Sequence, residues 1–135
     1  MSYIRYKNNN LFVESVSVRN LASKLNTPFY LYSEGNIIEN YKSFSRSFKK
    51  SKPLICFSVK ANSNIQILKV LKKMGSGADV VSGGELLKAI KSGIKPNKIV
   101  FSGVGKTEDE IELAIKKNIL LINVESENEA VLINK

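Results

Sequence analysis

From residue 54 onward, short and almost wholly apolar runs alternate with longer stretches in which apolar residues recur every three or four positions. The runs are LICFSV (54–59), ADVV (78–81), KIVF (98–101) and LLINV (120–124). Runs this short and this apolar predict strands covered on both faces, the pattern of a parallel sheet. The stretches between them predict amphipathic helices. Their buried sides would carry Ile67, Leu68, Leu71 and Met74, then Leu86, Leu87 and Ile90, then Ile111, Ala114 and Ile115.

The punctuation between the runs agrees. Ser63, Ser82, Thr107 and Ser126 each precede, by three positions, a residue able to complete a capping box: Gln66, Glu85, Glu110 and Glu129. Three of the predicted helices end in lysines followed by Gly75, Gly93 or Asn118, residues suited to a left-handed terminal turn. Four strand–helix units in series imply right-handed crossovers and parallel strands. Upstream the rhythm changes. LFVESVS (11–17) predicts a strand, Ser17 to Leu25 a short helix, and PFYLYS (28–33) a second strand. From Ser33 or Glu34 to Lys50 the apolar face of Ile37, Tyr41, Phe44 and Phe48 predicts a longer helix.

Two architectures fit this order, a doubly wound sheet and a (β/α)₈ barrel. Both place their chemistry at the carboxyl ends of the strands. Lys60, Asp79, Ser82 and Gly103 fall at those ends. In a barrel, four units would form only the first half.

Composition narrows the chemistry. The chain of 135 residues has no histidine and one cysteine, Cys56, which sits inside an apolar run. An internal disulfide, a zinc site and a histidine-based nucleophilic pair are all excluded within it. The lone cysteine reads as a small buried hydrophobe in a reducing compartment. No apolar run approaches a membrane span, and the amino terminus lacks the apolar segment of a secretory signal, so a cytoplasmic location is expected. The net charge of +9 raises the question of nucleic acid. Most lysines, however, lie at helix ends or on polar helix faces, where they complement the dipole, and no nucleic-acid partner is expected.

Lys60 is the residue that demands a reason. A lysine at a strand tip ordinarily extends into water. One that serves as a nucleophile toward an aldehyde is expected in a partly desolvated pocket, where burial lowers the amine's pKa and frees the nucleophile. The sequence CFSVKANSN around it, followed by GSGADVVSGGELLKAIKSGI and KIVFSGVGKTEDEIELAI, resembles the fold-type III pyridoxal-phosphate decarboxylases. VKAN is shared across that wider group, including ornithine and arginine decarboxylases and alanine racemases. GADVVSGGEL with FSGVGKT resembles its diaminopimelate branch.

The resemblance implies an alanine-racemase-like (β/α)₈ barrel, pyridoxal 5′-phosphate as cofactor, and decarboxylation of meso-diaminopimelate to L-lysine. It implies that Lys60 is the catalytic lysine that bonds covalently to the cofactor, with Asp79 close to both. Ser82 is a further candidate at the cofactor, although helix capping accounts for Ser82 and Glu85 as well. Gly103 and Gly105 are expected to shape the third loop. Residues 1–33 would form an amino-terminal segment that packs with a carboxyl-terminal β domain, and residues 34–135 part of the cofactor-binding barrel. A homodimer is expected of the full-length enzyme.

The match covers roughly the first third of a family member. The family's histidine, glycine-rich phosphate loop, Glu-Pro-Gly-Arg segment and Cys-Glu-Ser-like motif have no counterpart here. The chain is therefore expected to be an amino-terminal fragment, inactive alone. Three rival readings stay open: a related ornithine- or arginine-type decarboxylase, a non-catalytic half-barrel, and a nucleotide site at SGVGKT. The last is weakened by Val100, which stands where a phosphate-binding loop needs glycine.

Overall fold

The structure, a computed structural model, describes residues 3–48 and 50–135. Their order is β1 (Ile4–Lys7), β2 (Asn10–Val13), β3 (Val16–Ser17), α1 (Val18–Ala22), α2 (Glu34–Ser47), β4 (Cys56–Ser58), α3 (Ile65–Lys73), β5 (Gly77–Val80), α4 (Gly83–Lys91), β6 (Ile99–Phe101), α5 (Glu108–Lys116), β7 (Leu121–Ile122) and α6 (Glu127–Ile133). The predicted end of α2 at Lys50 overshoots by a short distance, and Lys49 lies outside the described residues.

β4, β5, β6 and β7 pair in sequence order, all parallel, with no strand inserted between any two. That order is the one a barrel requires, and it rules out a doubly wound crossover within these four strands. Alternation along each strand separates the two faces of the sheet. Ala78, Val80, Ile99 and Phe101 are fully buried beneath the helices. Asp79 and Val100, between them, are only half-buried. The expectation of strands covered on both faces is thus met on the helix side alone. Val59, Leu68, Leu86, Ala89 and Ala114 complete the core between sheet and helices. Leu87 and Ile115, read from spacing as buried, are about half exposed. The narrow stripes of α4 and α5 are filled instead by Leu86 with Ala89 and by Ile111 with Ala114.

The helix boundaries follow local chemistry. Gly75, Gly93 and Asn118 all adopt positive φ, at 91°, 92° and 53°, as the terminal-turn reading requires. Thr107 and Glu110 form a complete capping box. At Ser82 and Ser126 the hydroxyl caps as expected, but Glu85 and Glu129 accept from the amides of Val81 and Glu125, one residue before the cap. The first box is corrected. Asn64, not Ser63, caps α3 by accepting from the Gln66 amide, while the Ser63 hydroxyl accepts from the Lys88 ammonium. A short 3₁₀ turn over Val59–Ala61 takes up the intervening residues and delays the helix by one position.

The amino-terminal region departs most from expectation. β1, β2 and β3 form an antiparallel sheet of their own, closed by Asn8 and Asn9 at φ 50° and 57°, as a tight hairpin turn needs. The predicted single strand over 11–17 is broken at Glu14, which has φ 55°. PFYLYS forms no strand, because no neighbouring strand among the described residues offers it a ladder. Glu14 instead ties this sheet to α2: its Oε1 accepts from the Ser33 hydroxyl at 2.6 Å and the Gly35 amide at 2.8 Å.

Those two bonds, the Ser33 hydroxyl first and the Gly35 amide second, hold the Glu14 carboxyl below the usual range. A depressed carboxyl contributes stability that is complete above its unfolded value and lost as pH falls through the folded one. Amide-exchange protection of residues 10–17 is therefore expected to decline in acid below the ordinary carboxylate range. In Glu14→Gln that pH dependence should vanish; an unchanged acid limb would remove Glu14 from the account.

Candidate active site

The carboxyl ends of the four parallel strands gather every candidate residue. β4 leads into the 3₁₀ turn that carries Lys60. Val59 is completely buried and anchors this turn, while the Lys60 side chain is exposed. The partly desolvated pocket expected for this lysine is not formed by the described residues: the turn ends at the open rim of the sheet, and the side chain is exposed. Asp79 lies level with Ser58 in the β4–β5 ladder, two residues ahead of Lys60 in the chain. No ion pair or hydrogen bond joins Lys60 to Asp79 among the described residues.

Asp79 has other partners. Its Oδ2 accepts from the Ser58 hydroxyl at 3.3 Å and its Oδ1 from the Ser102 hydroxyl at 2.6 Å. The Asn123 amide group donates in turn to Ser102 Oγ at 2.9 Å. Asn62, next to the lysine turn, accepts from the Asn64 amide at 3.0 Å and is thereby fixed locally. Ser82 is placed at the end of the β5 run, but its Oγ accepts from the Glu85 amide at 3.2 Å as a helix cap. Capping accounts for the one hydrogen bond it makes here.

Lys106, in SGVGKT, is the residue whose role the sequence conceals. Gly103 and Gly105 take positive φ, 92° and 73°, and fold the loop back on itself. The lysine side chain, 1% exposed, then donates to Gly103 O at 2.8 Å, Asn123 O at 2.7 Å and Glu129 Oε1 at 2.5 Å. An ammonium has three donors, and all three are engaged. Lys106 is not available to a phosphate, which removes the main support for a nucleotide-binding loop. Its ammonium also lies 5.8 Å from the centre of the Phe101 ring. The hydrogen bond from Lys106 and then the one from the Glu125 amide hold the Glu129 carboxyl below its usual range.

Two other groups are set aside by their surroundings. Burial, and after it the negative charge of Asp79, push the Cys56 thiol up, away from the thiolate a nucleophile needs. Glu110 is held down by the Gly83 amide and then the Thr107 amide, so one carboxylate caps the starts of α4 and α5 together. Ser102, Asn123 and Lys106 were not among the sequence candidates. A signal was present: Ser58, Asp79, Ser102 and Asn123 are polar breaks in or just after the four apolar runs.

An exposed lysine amine on the turn after one strand, with a carboxylate on the next strand held by hydroxyls on either side of it, fits a carbonyl-binding barrel enzyme. The amine suits an aldehyde and the fixed anion suits a cationic ring or imine, so the residues present fit pyridoxal phosphate. Residues 34–135 match the family described as the pyridoxal-binding domain of pyridoxal-dependent decarboxylases, and the chain belongs to that family.

Among curated relatives, the chain is 45% identical over 133 residues to the diaminopimelate decarboxylase of Aquifex aeolicus, covering 98% of this chain and 31% of that protein. It is 57% identical over 100 residues to that of Helicobacter pylori strain J99, covering 74% of this chain and 25% of the relative. The crystal structure of the M. jannaschii diaminopimelate decarboxylase in complex with L-lysine superposes with a TM-score of 0.89 at 39% identity, over 97% of this chain and 32% of that one. The chain thus spans about a third or less of the length of these relatives. No helix among the described residues is long and apolar enough to cross a membrane.

Proposed function

We propose that this chain supplies the lysine-bearing part of an enzyme that decarboxylates meso-diaminopimelate to L-lysine. The observation that carries the reading is the accessible Lys60 amine at the end of β4 and the anchored Asp79 carboxylate on the paired strand β5, in a chain 45% identical over 133 residues to a diaminopimelate decarboxylase. Pyridoxal phosphate, when bound, supplies an electron sink for the electrons released as carbon dioxide leaves. Lys60 provides the amine that tethers the cofactor, on a turn whose position is fixed by buried Val59. Asp79 holds a negative charge near that amine and favours the cationic forms of groups bound there. Ser82 stands at the same rim and contributes to cofactor binding through the start of α4.

Relatives solved with L-lysine, from M. jannaschii and Helicobacter pylori, support lysine as the product. An ornithine- or arginine-type substrate has weaker support, since a solved viral arginine decarboxylase is 24% identical and shares the fold alone. The working enzyme is a homodimer in this reading, and the 135-residue chain by itself turns over no substrate. Replacing the matching first third of the Aquifex aeolicus relative with these 135 residues tests the whole proposal. The graft is expected to release carbon dioxide from meso-diaminopimelate while the isolated chain does not. A folded graft that loads pyridoxal phosphate yet ignores diaminopimelate would refute the substrate.

A further inference from the structure

The Asp79 carboxylate is gripped from both sides of its own strand. Ser58 belongs to β4, and Ser102 follows β6. Asp79 pairs with Val100 and Val100 with Leu121, so Ser102 and Asn123, each two residues further on, lie on the same face of the sheet as Asp79. This is the face left free of helices. A line of polar groups therefore crosses the carboxyl ends of all four parallel strands, from Ser58 through Asp79 and Ser102 to Asn123.

The line has a direction. A hydroxyl has one proton to donate. Because Asn123 Nδ2 donates to Ser102 Oγ at 2.9 Å, the Ser102 proton is turned toward Asp79 Oδ1, giving the short 2.6 Å bond. The backbone makes the placement stiff. Ser102 donates its amide to Val80 O at 2.8 Å, and Asn123 donates its own to Phe101 O at 2.9 Å. Beyond Asn123 the buried Lys106 ammonium holds the Asn123 carbonyl at 2.7 Å. A carboxylate offers about four acceptor positions. Two are taken by the hydroxyls of Ser58 and Ser102.

We propose that Ser102 and Asn123 are positioning residues for the reaction, fixing the Asp79 carboxylate beside the Lys60 amine so that its charge is presented in one orientation. This rests on the reading of Lys60 and Asp79 as the cofactor-binding pair. Asn123 acts at one remove, by aligning the hydroxyl of Ser102. A free carboxylate would spread its field over several rotamers and stabilise a cationic adduct less.

The test uses the Aquifex aeolicus graft with pyridoxal phosphate as the probe, reading the visible absorbance of its lysine adduct against concentration and pH. Ser102→Ala is expected to weaken adduct formation about tenfold or more, the lower end of what one charge-assisted hydrogen bond contributes. The pH midpoint of the adduct's visible band should fall as well, because the fixed anion that favours the protonated form is released. Ser102→Thr keeps the hydroxyl and is expected to stay within about twofold of the parent. Asn123→Ala should give an intermediate loss.

A folded Ser102→Ala graft with the parent's affinity and the parent's midpoint would overturn the proposal and leave the Lys60 reading intact. If Ser102→Ala fails to fold by circular dichroism, Asn123→Ala decides in the same assay, a parental midpoint counting against the proposal. Lys60→Ala separates the two levels. A folded parent graft that forms no adduct, or an adduct that persists in Lys60→Ala, overturns the reading of the site and this inference with it.

Discussion

Lys60→Ala in the Aquifex aeolicus graft is expected to lower kcat/KM for meso-diaminopimelate by at least about 1,000-fold, which is about 4 kcal/mol of transition-state stabilisation. Lys60→Arg should be nearly as damaging. Arginine keeps the positive charge but stays protonated and cannot form the covalent bond. The pair of variants thus separates a nucleophile from a mere cation. Borohydride reduction in the presence of pyridoxal phosphate, followed by peptide mapping, should fix the label at Lys60 in the parent and nowhere in either variant. The chain carries 18 lysines, so 17 side-chain amines compete with Lys60, which makes the mapping a stringent test. Label spread evenly over surface lysines would remove Lys60 from the chemistry.

The second large effect is structural. Gly77 opens β5 between β4 and β6, and a Cβ added there would fall on the carbonyl oxygen of Lys98 and lie 2.8 Å from Cys56 Sγ. Neither obstacle yields easily. The oxygen belongs to the backbone leading into β6, and the sulfur sits on the paired strand. Gly77→Val is expected to destabilise the fold by about 3 kcal/mol or more, at the upper end of overpacking costs. Gly75 provides the control, two residues away. It has φ 91° and nothing within 4 Å of an added Cβ. Gly75→Ala should cost only about 1–2 kcal/mol, the conformational penalty of a left-handed residue. Urea denaturation of both variants checks the ranking. Equal losses would show that backbone conformation, not steric closure between strands, dominates at Gly77.

Much of the strand–helix series was legible because its signals are local. Gly75, Gly93 and Asn118 end helices through their own φ preferences, and Ser82, Thr107 and Ser126 start them through their own hydroxyls. The order of β4 to β7 followed from the repeat. What could not be read depended on partners distant in the chain. β1 is exposed along its whole length, so no alternation of burial betrayed it. PFYLYS has strand composition but pairs with no strand among the described residues. Ser63 lost its capping role to Asn64 because a 3₁₀ turn intervenes.

At the candidate site, Lys60 and Asp79 were found through motif likeness, and their setting was not. Ser102 meets Asp79, and Asn123 meets Ser102, only through the register of β5, β6 and β7, which no local pattern records. Lys106 was singled out by nothing in the sequence beyond its place in SGVGKT. Its burial comes from Glu129, 23 residues later.

The helix-to-strand turns at Gly75, Gly93 and Asn118 sit at one rim of the sheet, and the links that carry Lys60, Ser82 and Gly103 sit at the other. The two rims therefore answer to different selection. Changes around the first would register in a melting curve and leave ligand affinity alone, since no candidate residue is within reach of those turns. Changes around the second would do the reverse wherever caps are spared. A library diversified only at the helix-to-strand rim could raise the hardiness of this protein, and one confined to the opposite rim could retune what it recognises. The two could be recombined with little interference.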